Sequence, residues 1–135
     1  MLSTCNRVEV YANVTRYHGG MADVRDHLAE WGGLDPTTFA HLTYDRFDRE
    51  AAEHLFAVAS GLESMVVGER QIHAQVRQAF ADALEEGAAG PVLNRVFRQA
   101  VRVGRRTRSE TGIADGAASI VDLALATAEQ YLTSE

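Results

Sequence analysis

The sequence predicts an α+β domain in which a small antiparallel sheet is covered by several helices, and most of the chain is helical. Two observations lead to this prediction. Polar and apolar residues alternate without a break from Arg7 to Val14, which is the period of a strand with one buried face. Farther along the chain, apolar residues recur at every third or fourth position over segments long enough for amphipathic helices.

Length and composition are those of one globular domain. The chain has 135 residues, of which 46% are hydrophobic and 24% are charged. A formal net charge of −6 argues against a generally basic surface for nucleic acids but allows a local basic patch. No apolar run reaches about 18 residues, so no membrane-spanning segment is predicted. The single cysteine excludes an internal disulfide, predicts no metal site and suits a reducing compartment such as the cytoplasm.

The first strand brings the only cysteine close to an arginine. A guanidinium beside a thiol favours the thiolate, which is the nucleophilic form. The same guanidinium can instead hold a substrate carboxylate through paired hydrogen bonds, and a lone cysteine can also be a small buried hydrophobe. If the strand already begins at Cys5, its open face carries Cys5, Arg7, Glu9, Tyr11 and Asn13, and its inward face carries Val8, Val10, Ala12 and Val14.

The segments after the first strand are predicted from turn residues and helical spacing. The Gly61 and Gly68 positions break the helical pattern, as does the glycine-rich connector at residues 87–91. The predicted order is a turn at 17–20, a helix at 21–31, a turn at 35–38, a second strand at 42–47, a helix after an Asp48 N-cap, helices at 70–84 and 92–110, and a final helix at 117–132.

Three groups of polar residues on these helices are candidates for function, and each has a structural alternative. His54 lies about 60° from the apolar stripe of its helix, where it can reach a cleft or bond to backbone. Gln71, Gln75 and Gln78 follow one side of the next helix and can bind a polar ligand or face solvent. The 92–110 helix carries an arginine stripe that suits phosphate contacts, a solvated face or pairing with acids elsewhere. The arginine stripe consists of Arg95, Arg98, Arg102, Arg105 and Arg106.

Several motifs occur in a fixed order along the chain. They are LSTCNRVEVY at 2–11, HLF at 54–56, ASGLESMVVGE at 59–69, QI at 71–72, QV at 75–76, Phe97, QA at 99–100, VGR at 103–105 and SETGI at 109–113. In this order and spacing they resemble the N-terminal catalytic domain of glutamyl-tRNA reductase, the enzyme that opens the five-carbon route to tetrapyrroles. The resemblance covers nearly the whole chain.

The resemblance implies roles for individual residues. Cys5 corresponds to the nucleophile that attacks the glutamyl ester of charged tRNA and forms an enzyme thioester. His54 corresponds to the histidine that assists the thiol or stabilises the reacting carbonyl. Arg70 departs from the family, which commonly has proline there. The implied substrate-binding residues are Thr4, Asn6, Arg7, Ser64, Glu69, Arg70, Gln71 and Gln75, and the candidates for tRNA contact are Arg95, Arg98, Arg102 and Arg105.

The resemblance also implies an organisation for the whole enzyme. Residues 1–113 correspond to the catalytic domain, which in the family contains a four-stranded ferredoxin-like sheet, and residues 114–135 to the start of a connecting helix. The parent enzyme is implied to be a cytoplasmic, NADPH-dependent homodimer that makes glutamate-1-semialdehyde and passes it to the aminomutase. This sequence lacks the family's first strand and helix, its dimerisation domain and the glycine-rich fingerprint of a nicotinamide site. We therefore expect at most thioester formation and slow hydrolysis of charged tRNA.

Two other functions remain open at this point. A generic cysteine hydrolase would use Cys5 and His54, but the sequence shows no third residue that would orient the histidine. A helical RNA-binding or adaptor module would use the arginine stripe, and a Cys5→Ser substitution would then change nothing.

Overall fold

The computed structural model describes residues 1–115, 124–125 and 128–129. Within these residues the predicted α+β class is confirmed, because one two-stranded antiparallel sheet is accompanied by five α-helices. In chain order the elements are β1 (Leu2–Ser3), β2 (Val8–Glu9), α1 (Tyr17–Gly32), α2 (Pro36–Ala40), α3 (Asp48–Ser60), α4 (Arg70–Glu85) and α5 (Pro91–Glu110), followed by a 3₁₀ helix at Gly112–Ala114.

The sheet is a short hairpin in which Leu2 lies opposite Glu9 and Ser3 opposite Val8. The predicted inward face of the first strand is wrong, since the four small apolar side chains from Val8 to Val14 are exposed. The helices lie on the other side: His54 of α3 contacts Glu9, Phe97 of α5 packs against Tyr11, and α4 contacts β1. Alternation separates the two faces of a strand but does not tell which of them the rest of the chain covers.

The predicted turn at 17–20 is the first turn of α1 instead. The N–H of Gly20 donates to the carbonyl of Arg16 at 3.0 Å, so Gly19 and Gly20 are part of the helix. A Cβ on Gly20 would lie 2.4 Å from Cγ1 of Val14, so this position of the helix has room only for glycine. At its other end α1 runs to Gly32, one residue beyond the predicted end, and Gly33 caps it with a φ of 64°.

Two further predictions between α1 and α3 are wrong. The predicted turn after Asp35 is the short helix α2, capped by the Asp35 carboxylate, which accepts from the Thr38 N–H at 2.9 Å. The predicted strand at 42–47 is irregular, and Leu42, Tyr44 and Phe47 in it are exposed. The two-stranded hairpin offers this segment no pairing partner among the described residues.

The core lies where α3, α4 and α5 pack together beneath the hairpin. Helices α4 and α5 match the predicted spans to within one residue at each end. Fully burying a valine, leucine or isoleucine side chain contributes about 1.5–3 kcal/mol to the stability of the fold. The buried cluster consists of Leu2, Leu55, Val58, Ala59, Ile72, Val76, Phe97 and Ala100.

The predicted final helix at 117–132 falls mainly outside the described residues. Residues 124–125 and 128–129 are helical, and Leu125 is exposed. Over the part of the chain that is described, no helix combines the length and the apolar character needed to cross a membrane.

Candidate active site

Cys5 lies at the tip of the β1–β2 hairpin. The strand does not extend to Cys5, so the condition for placing Cys5 on the open face of the strand is not met. Cys5 and Asn6 belong to the connecting turn. Thr4 fixes this turn, because its Oγ1 accepts from the N–H groups of Asn6 at 3.2 Å and Arg7 at 3.1 Å. The N–H of Thr4 donates to the carbonyl of Arg7 at 2.9 Å. The turn holds the thiol exposed rather than buried.

The loop at residues 61–69 approaches the hairpin turn from the end of α3. Gly61 and Gly68 both have positive φ angles, 79° and 85°, and the Gly68 N–H donates to the Gly61 carbonyl at 3.0 Å. A Cβ on Gly61 would lie 3.3 Å from the Cα of Gly68, so the base of the loop closes only with glycine there. Arg7 Nη2 donates to the carbonyl of Glu63, which ties the loop to the turn.

The turn, the 61–69 loop and the start of α4 surround a small pocket, hereafter the Cys5 pocket. Its volume is about 20 Å³, which is room for about one water molecule. All the substrate-binding residues predicted from the sequence line it except Arg70, whose side chain lies outside the described part of the chain. Gln78 lies away from it and donates to Asp82 at 2.7 Å. The lining residues are Thr4, Cys5, Asn6, Arg7, Ser64, Met65, Glu69, Gln71, Ile72 and Gln75.

Glu9, to which the sequence alone assigned no role, joins the polar residues behind this pocket. Its Oε1 lies 3.3 Å from Arg7 Nη1 and 2.9 Å from His54 Nε2, and its Oε2 accepts from the Tyr11 hydroxyl at 2.6 Å. Burial raises the pKa of Tyr11, and the hydrogen bond to Glu9 raises it further, so the phenol stays a donor. In the sequence, Glu9 could have been identified by its position between Arg7 and Tyr11 on the same face of the predicted strand.

His54 is held by Glu9 rather than by the Cys5 turn. The ionised Glu9 carboxylate can only accept, so His54 Nε2 is the donor in this contact. Nδ1 is buried and has no hydrogen-bond partner among the described residues. The ring lies beside Tyr44, with centroids 6.3 Å apart, and lines a separate groove of about 500 Å³. The structure thus places the two predicted catalytic residues, Cys5 and His54, in different pockets, connected through Arg7 and Glu9.

Comparison with known proteins identifies the family of this chain. Residues 1–111, which include every residue of the Cys5 pocket, match the family model described as the N-terminal domain of glutamyl-tRNAGlu reductase. The chain belongs to this family. The resemblance found from the motifs is therefore confirmed. Proteins named glutamyl-tRNA reductase from Salinispora tropica and Salinispora arenicola are each 47% identical to it over all 135 residues. The chain spans 30% of the length of these relatives.

The arginine stripe of this reductase-family domain is exposed on α5. Arg106 pairs with Glu110 on the same helix, at 2.8 and 2.9 Å, and Arg98 donates to Asn94 at 2.6 Å. The ion pairs that the structure describes include no carboxylate partner for the other arginines of the stripe, so the alternative of pairing with acids elsewhere loses support. The exposed members without such a partner are Arg95, Arg98, Arg102 and Arg105.

The described residues contain no cluster of three or more histidine, cysteine, aspartate or glutamate side chains with the geometry of a metal site. His73, on α4, contacts a backbone carbonyl instead, with its Nδ1 3.3 Å from the oxygen of Ala59. Burial lowers the pKa of His73, and nearby arginines lower it further, so the ring favours its neutral form.

Proposed function

We propose that this domain accepts the glutamyl group of charged tRNA on Cys5, as the thioester-forming part of a glutamyl-tRNA reductase. The observation that carries the proposal is the Cys5 pocket, in which an exposed thiol lies beside a cation, an anion and neutral hydrogen-bonding groups. Glutamate needs this combination, since it has an amino group, a side-chain carboxylate and a reacting carbonyl. Family membership supports the same substrate.

The reaction at Cys5 needs a nucleophile and little further activation. The thiolate sulfur attacks the carbonyl carbon of the aminoacyl ester, a carbon–sulfur bond forms, and the carbon–oxygen bond to the terminal ribose breaks. The ribose oxygen leaves with a proton as the free hydroxyl of tRNA. Because an aminoacyl ester is already activated, a thiolate suffices for this step. We assign His54 Nδ1, the ring nitrogen that does not bond Glu9, as the group that takes the thiol proton from Cys5 and returns it to the ribose oxygen. This role requires the groove and the Cys5 pocket to join when substrate binds.

Substrate binding also requires the Cys5 pocket to open. A volume of about 20 Å³ holds no glutamyl group, so the hairpin turn and the 61–69 loop must separate. The Arg7 side chain spans this gap through Glu9 and the Glu63 carbonyl. We infer that the substrate carboxylate takes over part of this bonding, because a guanidinium binds a carboxylate more strongly than a neutral carbonyl. Glu69 then faces the substrate amino group.

For the whole enzyme we extend the proposal to the reduction that the family name denotes. The thioester would be reduced with NADPH to glutamate-1-semialdehyde in the cytoplasm, by a homodimer that passes its product to the aminomutase. In this scheme residues 1–113 form the catalytic domain and residues 114–135 the start of the connecting helix. The sequence contains no glycine-rich dinucleotide fingerprint, so no step involving the cofactor is assigned to its residues.

The arginine stripe is the proposed contact for the tRNA backbone. Its exposed guanidinium groups repeat along one face of α5, where they can follow a line of phosphates. A pure RNA-binding module would use the same stripe without any chemistry at Cys5. The two functions differ in what a cysteine substitution does.

A single-turnover assay with excess protein and glutamyl-tRNA tests the proposal. We expect the protein to release uncharged tRNA and to retain the labelled glutamyl group. A Cys5→Ser variant should bind glutamyl-tRNA but deacylate it no faster than buffer alone does. If the domain is only a binding module, the unsubstituted protein and Cys5→Ser should bind tRNA equally well, and neither should accelerate deacylation. A generic cysteine hydrolase would deacylate other aminoacyl-tRNAs at rates similar to that of glutamyl-tRNA.

A further inference from the structure

Arg108 contacts the substrate-binding loop from the far end of α5. Its Nη1 lies 3.4 Å from the carbonyl oxygen of Gly68 and 3.2 Å from that of Glu69. Its Nη2 lies 3.3 and 2.5 Å from the same two oxygens. Unlike the exposed arginines of the stripe, this residue is partly buried. The guanidinium therefore forks across two successive backbone carbonyls.

The choice of partners is informative because an arginine with reduced solvent access ordinarily pairs with a carboxylate. None of the described ion pairs includes Arg108, and its hydrogen bonds go to backbone carbonyls instead. A charged donor strengthens such bonds. The planar fork also fixes the direction of both carbonyls at once, which a single ammonium donor cannot do.

These two carbonyls belong to the turn that delivers Glu69 to the Cys5 pocket. Glu69 is the N-cap residue of α4 and its side chain makes no capping bond, so the cap itself does not orient it. The Gly68 N–H bonds to Gly61 at 3.0 Å and the Glu69 N–H to Val66 at 3.1 Å, both within the loop. Arg7 holds the loop at Glu63 on its hairpin side, and Arg108 holds its α4 side.

We propose that Arg108 is a positioning residue for the substrate pocket: its guanidinium fixes the Gly68–Glu69 turn and thereby aims Glu69 at the glutamyl amino group. The inference deepens the proposed function and rests on it for the role of Glu69. The part that concerns the turn itself is independent of any substrate. Arg108 thus differs from its neighbours on α5, whose exposed side chains serve the tRNA backbone.

Amide hydrogen exchange of the 135-residue protein tests the effect on the turn without tRNA. In Arg108→Met we expect the amide protons of Gly68 and Glu69 to exchange about tenfold faster, as expected from losing charge-assisted hydrogen bonds, while the amides of α3 are unchanged. Arg49→Met is the matched control, because Arg49 is 88% exposed and pairs with Glu53 on the same helix. If the methionine variant does not fold, Arg108→Lys takes its place in the test. We expect amide exchange at Gly68 and Glu69 to be about threefold faster in that variant.

A double-mutant cycle with Glu69→Gln tests the connection to substrate. At subsaturating glutamyl-tRNA we expect Arg108→Met to slow adduct formation about tenfold alone but less than about twofold in the Glu69→Gln background. At saturating glutamyl-tRNA the loss should be smaller, because the turn acts on binding. A merely structural role would slow both backgrounds equally.

The outcomes separate this inference from the proposed function. Unchanged exchange at Gly68 and Glu69 in the folded Arg108 variants would overturn the inference, and so would equal losses in the two backgrounds. If the unsubstituted protein forms no adduct, the proposed function fails, and the role of Arg108 in substrate positioning fails with it. The exchange result then reports on the turn alone.

Discussion

At the scale of single residues, Glu9 is the point where the polar side chains behind the Cys5 pocket converge. Its side chain is only 10% exposed and bonds Arg7, Tyr11 and His54. A buried carboxylate is tolerable when donors surround it, and removing its charge leaves those donors without their acceptor. Glu9 supplies the orienting group that the sequence alone did not reveal for His54.

We predict that Glu9→Gln destabilises the protein by about 1–3 kcal/mol, since a neutral amide cannot accept from all three donors. Urea denaturation measures this change directly. Glu53→Gln is the matched control, because Glu53 is 59% exposed and pairs with Arg49 on the same helix. Its effect should be less than half as large. Equal effects of the two substitutions would show that the Glu9 network does not contribute to stability.

At the scale of secondary-structure elements, the close contact of α5 with the end of α3 depends on Gly104. A Cβ at this position would lie 2.3 Å from the carbonyl oxygen of Ala59 and 2.8 Å from Nδ1 of His73. The first of these neighbours is backbone, which cannot rotate away. The two helices must therefore separate if the glycine is replaced, and the core between them loosens.

We predict that Gly104→Ala lowers the free energy of unfolding by about 1–3 kcal/mol, as overpacking commonly does. Gly19→Ala provides the control, because Gly19 lies in α1 and a Cβ added there would meet no atom within 4 Å. That substitution should stabilise slightly through helix propensity. Thermal unfolding by circular dichroism compares the two, and a stable Gly104→Ala variant would contradict the described packing.

The exposed side of α5 carries a prediction about tRNA. Reversing the charge with Arg102→Glu should weaken tRNA binding at low salt. The slope of log affinity against log salt concentration should fall in magnitude by about one or more, which corresponds to the loss of at least one phosphate contact. Arg49→Glu, on the exposed surface of α3, is the charge-matched control and should have little effect. Equal affinities for both variants across a salt titration would remove the stripe as the tRNA-binding face.

At the scale of the whole molecule, the sequence predicted the helices better than the strand. Helical periodicity over 16 residues in α4 and 20 in α5 fixes both the type of element and its buried side. The hairpin has only two residues in each strand, and its covered face depends on where α3 and α5 lie. The valines from Val8 to Val14 were therefore assigned to the wrong side.

The candidate site was predictable where it follows local sequence and not where it depends on distant contacts. The motifs at 2–11, 59–69, 71–72 and 75–76 contain all the residues that line the Cys5 pocket. Glu9 contacts a histidine 45 positions away, and Arg108 contacts a carbonyl 39 positions away. No local pattern indicates such pairs, and the separation of His54 from the Cys5 pocket follows from the same long-range packing.

Cys5 is the proposed acceptor of the glutamyl group, and mapping the acylated residue shows whether the group is attached there. The protein is mixed with labelled glutamyl-tRNA, quenched in acid, digested with trypsin and examined by mass spectrometry. We predict one glutamyl group on the peptide that ends at Arg7, removable by hydroxylamine and absent from Cys5→Ser. Because the chain contains no lysine, acylation of lysine cannot be mistaken for this product. A glutamyl group on any other residue, or none on the folded protein with bound tRNA, would contradict the claim.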